Sequence, residues 1–331
     1  MAIVVTGSSG HLGEALMRTL RARGAPATGL DIKPSRFTDR VGSVGNRRFV
    51  AECLAGARTV IHTATLHKPH VATHSNQDFI DTNVTGTLVL LEEAAKAGVT
   101  SFVFTSTTSV FGSALTPKEG EPAAWITEDV PPIAKNIYGV TKLAAESLCE
   151  LFALRRRLPV IVLRTSRFFP EADDNAAVRT SYELANAQAN EFLYRRADIA
   201  DIVDAVLLAV EQAPQIGFAR FIVSATTPFT REDLPALRRD APGVVHRLFP
   251  ECAKLYAARG WKLLPSIDRV YVNSRAMSAL GCRPKYDFRH VLDCLAAGAD
   301  FRSPLAREVG SKGYHATAFD EGPYPVVPPG S

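Results

Sequence analysis

Residues 2–13 are Ala2-Ile3-Val4-Val5-Thr6-Gly7-Ser8-Ser9-Gly10-His11-Leu12-Gly13, and strong helix formers follow from Glu14. The β-branched run before Thr6 predicts a short buried strand of a parallel sheet. Gly7 permits a tight turn, Gly10 lets the backbone approach a pyrophosphate, and Gly13 lets helix and strand pack closely. The helix N-terminus that follows favours an anion. This strand, turn and helix therefore predict a dinucleotide-binding unit.

Asp31 supports that prediction and indicates which dinucleotide is bound. It lies 18 residues beyond Gly13, directly after a second predicted strand at about 26–30. An acidic group at that place suits the ribose hydroxyls of NAD and repels the additional phosphate of NADP. We therefore expect NAD as the cofactor.

Strands and helices alternate through the first part of the chain. Further strands are predicted at 60–62, 102–105, 159–164 and 219–224, with helices at 79–97, 138–157 and 201–211. This alternation predicts an α/β fold with a doubly wound parallel sheet of the Rossmann type. From Arg167 the pattern becomes irregular, which predicts a smaller C-terminal substrate-binding lobe over the carboxyl ends of the strands.

The expected domains follow from that change of pattern. Residues 1–166 plus 197–225 are expected to bind NAD, and residues 167–196 plus 226–305 are expected to form the substrate-binding lobe. Residues 306–331 are expected to be a Pro-rich C-terminal tail, either lying on the surface or disordered.

Tyr138 and Lys142 are four residues apart in a predicted helix, so the phenol and the ammonium lie on one face. A free tyrosine has a pKa of about 10 and is a poor base at neutral pH. A nearby ammonium favours the phenolate and brings its pKa toward working pH. The spacing occurs by chance on many helices, and the dinucleotide-binding turn is what makes a catalytic pair the favoured interpretation.

Together these segments resemble the extended short-chain dehydrogenases/reductases, of the NAD-dependent epimerase/dehydratase family. The resemblance covers about residues 1–225. Its motifs are Thr6-Gly7-x-x-Gly10-x-x-Gly13, Asp31, Val60-Ile61-His62-Thr63-Ala64, Thr82-Asn83-Val84-Thr85-Gly86-Thr87, Phe104-Thr105-Ser106-Thr107-Thr108-Ser109-Val110-Phe111-Gly112, Tyr138-x-x-x-Lys142 and Leu163-Arg164.

The resemblance implies a catalytic set of Thr107, Tyr138 and Lys142. Ser106 and Thr108 are alternatives to Thr107, because alternation along a strand decides which hydroxyl faces the cleft. In the implied reaction Tyr138 takes the proton of a secondary alcohol, whose carbon gives a hydride to the nicotinamide. Thr107 holds the oxygen, and Lys142 also positions the nicotinamide ribose.

The resemblance also implies a set of cofactor-binding residues on the glycine turn and the strand ends, with Asn83 bracing the active-site strand. They are Gly7, Ser9, Gly10, His11, Leu12, Gly13, Asp31, Ile32, Ser43, Val44, Thr63, Ala64, Thr65, Asn83, Thr105, Tyr138 and Lys142.

Residues 62–74 contain His62, His67, His70 and His74, which raises the hypothesis of a zinc site. The implied chemistry needs no metal, and this segment lines the cofactor cleft in the resembled family, so we predict no metal site. His67 and Lys68 are instead candidate substrate contacts, together with Thr107 and Thr108. The alternative for His67 and Lys68 is that they are simply solvated side chains of a surface loop.

Several positions depart from the family pattern. Thr108 and Ser109 stand where dehydratases carry an acidic pair, which disfavours sugar dehydration. Tyr194-Arg195-Arg196-Ala197-Asp198 replaces the Arg-Asp-aromatic segment of nucleotide-sugar epimerases, and Ser43 replaces the acid near the adenine.

Arg167 is the departure that bears most on the substrate, because epimerases of the family carry Asn at this position. With Phe168-Phe169-Pro170-Glu171 it resembles the equivalent stretch of uronate dehydrogenases, whose substrates carry a carboxylate. A guanidinium matches carboxylate or phosphate in two-pronged fashion. Arg167 is therefore a candidate ligand for an anionic substrate group, with a salt bridge to Glu171 or Asp173 as the alternative.

Composition excludes several other classes of protein. The chain has 331 residues, of which 46% are apolar and 22% charged, and its net charge of +4 is too small to indicate nucleic-acid binding. It has no run of 18 apolar residues, so no membrane association is expected. Its five scattered cysteines indicate reduced thiols, and we expect a cytoplasmic protein.

The favoured function is an NAD-dependent oxidoreductase acting on a hydroxyl of a sugar, sugar acid or similar polyol, in carbohydrate metabolism. A nucleotide-sugar epimerase that keeps its NAD is the main alternative, and an NAD-sensing regulator is disfavoured because the Tyr/Lys pair is present. The resemblance also implies a homodimer formed through helices 79–97 and 138–157, although core packing explains their leucines equally well. The substrate and the carbon oxidised stay open.

Overall fold

The computed structural model describes residues 2–313. Its strands, numbered in chain order, are β1 Ala2–Thr6, β2 Ala27–Asp31, β3 Arg40–Val41, β4 Ala57–His62, β5 Ser101–Thr107, β6 Ala124–Ile126, β7 Val160–Thr165, β8 Phe218–Val223 and β9 Arg269–Tyr271. Seven of them form one parallel sheet in the order β3-β2-β1-β4-β5-β7-β8, and β6 pairs with β9 in a separate two-stranded sheet.

The helices in chain order are α1 His11–Ala22, α2 Arg47–Leu54, α3 Asn76–Phe79, α4 Gly86–Lys96, α5 Ile137–Arg156, α6 Ala176–Ser181, α7 Leu184–Glu191, α8 Ile199–Ile216, α9 Leu234–Leu237, α10 Ala241–Leu248, α11 Cys252–Ala257, α12 Ser274–Ala279, α13 Phe288–Ala297 and α14 Pro304–Val309. A π-helical segment, Ile80–Thr85, joins α3 to α4. A 3-10 turn, Thr108–Phe111, follows β5.

Both faces of the main sheet are buried, because successive side chains of each strand point to opposite faces. Val5 packs in the cluster that includes residues of α1 and α8, whereas its neighbour Val4 packs in the cluster that includes residues of α2, α4 and α5. The same alternation places Val103 with the first cluster and Phe102 with the second. The sheet is therefore doubly wound, and the predicted fold class is confirmed.

A third cluster forms the core of the smaller lobe. It is built mainly from α7, α9, α10, α11 and α13, and its largest side chains include Phe192, Phe249 and Phe288. The segments that form it come from 185–194 and 225–301, with Ala123 added from the loop before β6. This lobe lies at the carboxyl-end side of the sheet, since β7 and β8 lead into its segments.

The strands predicted in the first half are all present, whereas β3, β6 and helix α2 were not predicted, and the end of α8 differs. The short strand β3 was not predicted, because two exposed residues carry no apolar pattern. Helix α8 extends to Ile216, beyond the predicted end at 211, although it includes Pro214. Proline has no N–H to bond the Val210 carbonyl, which instead accepts the Ser101 hydroxyl at 2.9 Å.

The predicted tail starts within an ordered element. Helix α14 occupies Pro304–Val309 and contacts α1 and α8. Residues 310–313 continue past it, and the part of the tail prediction that falls on 314–331 lies outside the described residues.

Candidate active site

The carboxyl ends of the central strands open into one cavity of about 770 Å³. The strand order reverses between β1 and β4, and that is where open parallel sheets bind their ligands. Within residues 2–313, two predicted site residues, Asn83 and Lys142, are not at the cavity surface. The others line it: Gly7, Ser9, Gly10, His11, Leu12, Gly13, Asp31, Ile32, Ser43, Val44, Thr63, Ala64, Thr65, His67, Lys68, Thr105, Thr107, Thr108, Tyr138 and Arg167.

The glycine turn is a place where side chains do not fit. Gly7 has a φ of +72°, and a Cβ there would lie 2.7 Å from the backbone nitrogen of Ala64. A Cβ at Gly13 would lie 1.9 Å from the carbonyl oxygen of Gly7. Among the described residues, no side chain caps the N-terminus of α1 at Gly10. The turn therefore leaves a backbone cradle at a helix N-terminus, which fits the pyrophosphate of a dinucleotide.

Asp31 lines the cavity beside the glycine turn. One of its carboxylate oxygens accepts the backbone N–H of Ser9 at 3.0 Å, and the other accepts that of Lys33 at 2.9 Å. Ser9 belongs to the glycine turn, so the acid at the end of β2 is held in a fixed position beside it. This arrangement suits ribose hydroxyls, as the sequence predicts.

Asn83 lies behind the cavity wall, where its buried amide joins two elements. Its Oδ1 accepts the hydroxyl of Thr65 and the N–H of Leu66, both at 2.9 Å. Its Nδ2 donates to the carbonyl of Leu66 at 2.8 Å and to the hydroxyl of Thr141 at 3.0 Å. Asn83 therefore braces the loop after β4 against α5, rather than the strand β5 as we expected. It shapes the cavity without lining it.

Thr107 and Tyr138 form the predicted pair of hydroxyls at the cavity surface. Thr107 is the last residue of β5, and its hydroxyl accepts the N–H of Ser109 at 3.1 Å. Burial raises the pKa of Tyr138 to about 12, and a hydrogen bond with Thr107 lowers it in part. Ser106, the alternative one residue earlier, instead donates its hydroxyl to the buried Glu146 at 2.5 Å. Strand alternation thus gives Thr107 the place beside Tyr138.

Lys142 is oriented differently from the sequence-based expectation. Its ammonium donates to the carbonyl oxygen of Thr105 at 2.6 Å and lies 4.0 Å from the centre of the Phe104 ring. Burial lowers the pKa of Lys142 to about 7. The expected lowering of the Tyr138 pKa by Lys142 is not found: burial raises this pKa, and the group that lowers it in part is Thr107. Lys142 holds the backbone of β5 directly behind the cavity.

Three of the four histidines of residues 62–74 contact one another in series, with 5.5 Å between the ring centroids of His67 and His70 and 5.0 Å between those of His70 and His74. His62 is buried between the hydroxyl of Thr6 at 2.8 Å and that of Thr87 at 3.0 Å, and burial lowers its pKa to about 3. His67 lies against the Tyr138 ring, 6.0 Å between centroids, and loss of contact with water lowers its pKa to about 3. Within residues 2–313, no three His, Cys, Asp or Glu side chains are grouped as ligands of one metal ion.

The predicted substrate cations have protein partners at the cavity wall. Lys68 forms an ion pair with Asp174. The Arg167 guanidinium donates to the carbonyl oxygens of Glu171 at 2.7 Å and Ala172 at 2.8 Å, and its Nε lies 3.6 Å from the Glu191 carboxylate. The alternative role of Arg167 was a salt bridge to Glu171 or Asp173; the structure shows an ion pair with Glu191, while Glu171 contributes its backbone carbonyl, and the guanidinium also lines the cavity.

Sequence reasoning did not identify three further side chains of the cavity wall. Arg269 and Tyr271 come from β9, more than 100 positions beyond Arg167, and no local pattern indicates their approach. Arg195 lies in the segment noted as unusual, but its place in the wall was not predicted. It pairs with Asp173 and with the Glu191 carboxylate at 2.6 Å.

Residues 311–313 also reach this cavity, at the end of the described chain. The Ser311 hydroxyl donates to the Glu171 carboxylate at 2.7 Å, and the N–H of Lys312 donates to His11 at 3.2 Å. The Lys312 ammonium pairs with Glu14 on α1. Lys312 and Gly313 thus form part of the wall beside the glycine turn.

Comparison with known proteins gives one matching family model. It is described as the NAD dependent epimerase/dehydratase family and matches residues 3–217. The UDP-glucose 4-epimerase of Erwinia amylovora is 28% identical over 172 residues, 46% of this chain and 49% of that protein. The dTDP-glucose 4,6-dehydratase of Streptomyces griseus is 31% identical over 191 residues, 51% of this chain and 56% of that protein. The match thus spans about half the length of these curated relatives.

Among solved structures, a short-chain dehydrogenase/reductase superfamily protein from Agrobacterium tumefaciens with bound NAD has a TM-score of 0.65. It is 22% identical, and the alignment covers 93% of this chain and 97% of that one. At this identity the likeness concerns the fold. Among residues 2–313, no helix combines the length and apolar character needed to cross a bilayer.

Proposed function

The chain belongs to the NAD dependent epimerase/dehydratase family, and from that premise we propose that it is an NAD-dependent oxidoreductase acting on a secondary alcohol of a sugar, sugar acid or similar polyol. The observation that carries the proposal is the pairing of Thr107 with Tyr138 at the surface of a cavity whose other end is the glycine turn. The hydroxyls proposed to act on the substrate and the turn proposed to hold the cofactor therefore line the same cavity.

The chain's own residues fit the cofactor that the family uses. Gly7, Gly10 and Gly13 leave room for a pyrophosphate, and Asp31 offers a carboxylate to ribose hydroxyls. Thr63, Ala64 and Thr65 line the middle of the cavity, between the turn and Tyr138. When bound, NAD supplies the hydride acceptor and, in its oxidised form, one positive charge.

Tyr138 is the group that moves the proton. With a pKa raised to about 12, its phenol is protonated in the protein alone and is set to donate to a substrate oxygen. In the oxidative direction Tyr138 accepts the proton of the alcohol, and this needs positive charge nearby to favour the phenolate. Thr107 holds the same substrate oxygen, and Lys142 fixes the backbone of β5 at Thr105.

The substrate end of the cavity favours a polar molecule with an anionic group. Arg167, Arg195 and Arg269 line it together with Lys68. Asp173, Asp174 and Glu191 pair with three of these cations and hold them in place. A fixed guanidinium loses little entropy when it binds a carboxylate or phosphate. These residues support an acidic sugar or a sugar phosphate as the substrate class.

An epimerase that retains its NAD is the second candidate, and residues 311–313 favour it. They lie at the wall beside the glycine turn and bind both His11 and Glu171. A segment in that place supports retention of a bound cofactor, which is the property expected of this kind of epimerase. For the dehydratase reaction, Thr108 and Ser109 offer hydroxyls where an acidic pair is expected, so this reaction stays disfavoured.

We further propose a cytoplasmic homodimer formed through α4 and α5. Val140, Leu151 and Leu154 lie on the outer face of α5 and are 50%, 48% and 72% exposed. With Ala144 and Ser147 they form a stripe at helical spacing, which supports an interface with a second copy.

Two measurements on the purified protein test the proposal. The first is the amount of NAD that stays bound through gel filtration. The second is a screen of aldonic, uronic and nucleotide-linked sugars, followed by the absorbance of the reduced cofactor. A dehydrogenase accumulates NADH with added NAD, whereas an epimerase arrives with NAD bound and converts a sugar without net NADH. Activity in neither assay with any of these sugars would contradict the proposed substrate class.

A further inference from the structure

Glu146 is a buried carboxylate that the proposed mechanism does not use. It lies on α5, one helical turn after Lys142, and its exposed fraction is 0%. Its carboxylate accepts the hydroxyl of Ser106 at 2.5 Å, the Arg164 guanidinium at 2.7 Å and the Arg220 guanidinium at 3.2 Å. A carboxylate taken out of water needs such partners, and here three strands supply them.

Those three partners connect Glu146 to every strand beneath α5. Ser106 belongs to β5, Arg164 to β7 and Arg220 to β8. In β5, Ser106 stands between Thr105, whose carbonyl takes the Lys142 ammonium, and Thr107, which bonds Tyr138. The contacts from α5 to β5 at three successive residues therefore fix the distance between the helix with Tyr138 and the strand with Thr107.

We propose that Glu146 is a positioning residue for the reaction: it clamps α5 to β5 through Ser106, and its buried negative charge holds the ammonium of Lys142 in its charged form. The inference rests on the proposed function for its catalytic consequence. The effect on Lys142 is a property of the chain alone and can be measured without turnover.

Glu146 acts on the charge of Lys142 because the other titratable groups that face Lys142 are neutral at working pH. Burial lowers the pKa of Lys142 to about 7, and Cys149 and, after it, Glu146 oppose that effect. His62 and His67 also face Lys142, and with pKa values of about 3 they are neutral at working pH. Burial raises the pKa of the Cys149 thiol well above its usual value, so this group is neutral too.

Arg164 and Arg220 add positive charge on the far side of Glu146. Arg220 also pairs with Glu150 at 2.7 Å, one turn further along α5 and 43% exposed. Lys142 lies nearer to Glu146, four residues further along the helix, than to Glu150. The buried carboxylate of Glu146 therefore has the larger electrostatic effect on Lys142.

The test is the titration of Lys142 in cofactor-free protein, followed by the Cε resonance of ¹³C-labelled lysine and assigned by its absence in Lys142→Arg. We expect Glu146→Gln to shift this titration down by about one pH unit, because a buried opposite charge at helical contact distance contributes about that much. Glu150→Gln is the matched control, and its titration should stay at the wild-type pH. Arg220→Gln removes a cation beside Glu146 and should shift the titration upward.

Turnover measurements then test the clamp. Ser106→Ala keeps the charge and removes the bond between strand and helix, so kcat should fall about tenfold with the Lys142 titration unchanged. In Glu146→Gln the alkaline limb of the pH–rate profile should move to lower pH, and Glu146→Asp should restore it in part.

Two results would overturn the inference: an unshifted Lys142 titration in Glu146→Gln, or Ser106→Ala with wild-type kcat. If Glu146→Gln does not fold, as judged by circular dichroism, an unshifted titration in Arg220→Gln decides against it instead. Failure of the proposed function would show separately, as retained turnover when Tyr138 is replaced.

Discussion

Gly13→Ala is the substitution whose effect the structure determines most closely. A Cβ at position 13 would lie 1.9 Å from the carbonyl oxygen of Gly7 and 2.8 Å from the Cα of Ser8. Contacts of this kind below 3.0 Å are essentially never observed. The neighbouring atoms are backbone, so no side chain can rotate away, and the turn must separate from α1 by roughly 1 Å.

That displacement has an energy that can be estimated. Overpacking of a tight site costs about 1–3 kcal/mol. The Gly10 N–H bond to the Gly7 carbonyl, 3.1 Å long, is strained or lost at about 1 kcal/mol. We expect Gly13→Ala to lower the free energy of unfolding by about 2–4 kcal/mol. NAD affinity should fall at least about tenfold, because the displaced turn no longer fits the pyrophosphate.

Two other glycines serve as matched controls. At Gly10 a Cβ would lie 3.3 Å from the Gly7 carbonyl, so Gly10→Ala should lower NAD affinity at least about tenfold and change stability by less than about 1 kcal/mol. At Gly24, φ is +66° and no atom of the described residues lies within 4 Å of a Cβ. Gly24→Ala should therefore cost about 1 kcal/mol and leave NAD affinity unchanged.

The assays are urea denaturation of the cofactor-free protein for the free energy of unfolding and isothermal titration calorimetry for the dissociation constant of NAD. Gly13→Ala should change both quantities, Gly10→Ala only the affinity and Gly24→Ala only the stability. A Gly13→Ala protein with wild-type stability and wild-type affinity would refute the assignment of residues 7–13 as the pyrophosphate cradle.

Three further predictions concern other parts of the chain. Asp31→Ala should weaken NAD binding about tenfold and NADP binding less, measured by calorimetry with both dinucleotides. Because burial lowers the pKa of Lys142 from 10.5 to about 7, the unfolded chain binds more protons between those pH values, and stability should rise with pH there. Urea titrations of Lys142→Met that keep the same rise would contradict this. Leu151→Glu should convert a dimer into a monomer of 35.8 kDa by light scattering, since it puts a charge in the proposed apolar interface. Wild-type protein that is already monomeric would remove the dimer proposal.

Sequence predicted best those features that depend on residues close together in the chain. The glycine turn and the Tyr138–Lys142 pair follow from fixed spacing, because strand, turn and helix geometry leave few choices for residues 2–13 and 138–142. The alternation of strands and helices likewise gave the parallel sheet, since each buried strand is a short apolar run.

Sequence predicted less well the features that depend on partners far along the chain. The ammonium of Lys142 binds the Thr105 carbonyl because β5 passes beneath α5, and no local pattern specifies that choice. Arg269 joins Arg195 at the cavity wall only because β6 and β9 pair in the small lobe. The direction in which the pKa of Tyr138 shifts also depends on burial, which is set by the whole fold.

The place of Asn83 illustrates the same limit. The motif marked it as important, and its four hydrogen bonds agree with that. Which elements it joins became clear only from the packing of the loop after β4 against α5.

The account as a whole depends on proton transfer by Tyr138, and Tyr138→Phe tests it most directly. This variant keeps the buried ring and removes only the hydroxyl that bonds Thr107. Turnover on the best substrate of the screen should fall about a thousandfold, while the dissociation constant of NAD stays at its wild-type value. Turnover that persists at the wild-type rate in Tyr138→Phe would contradict the account.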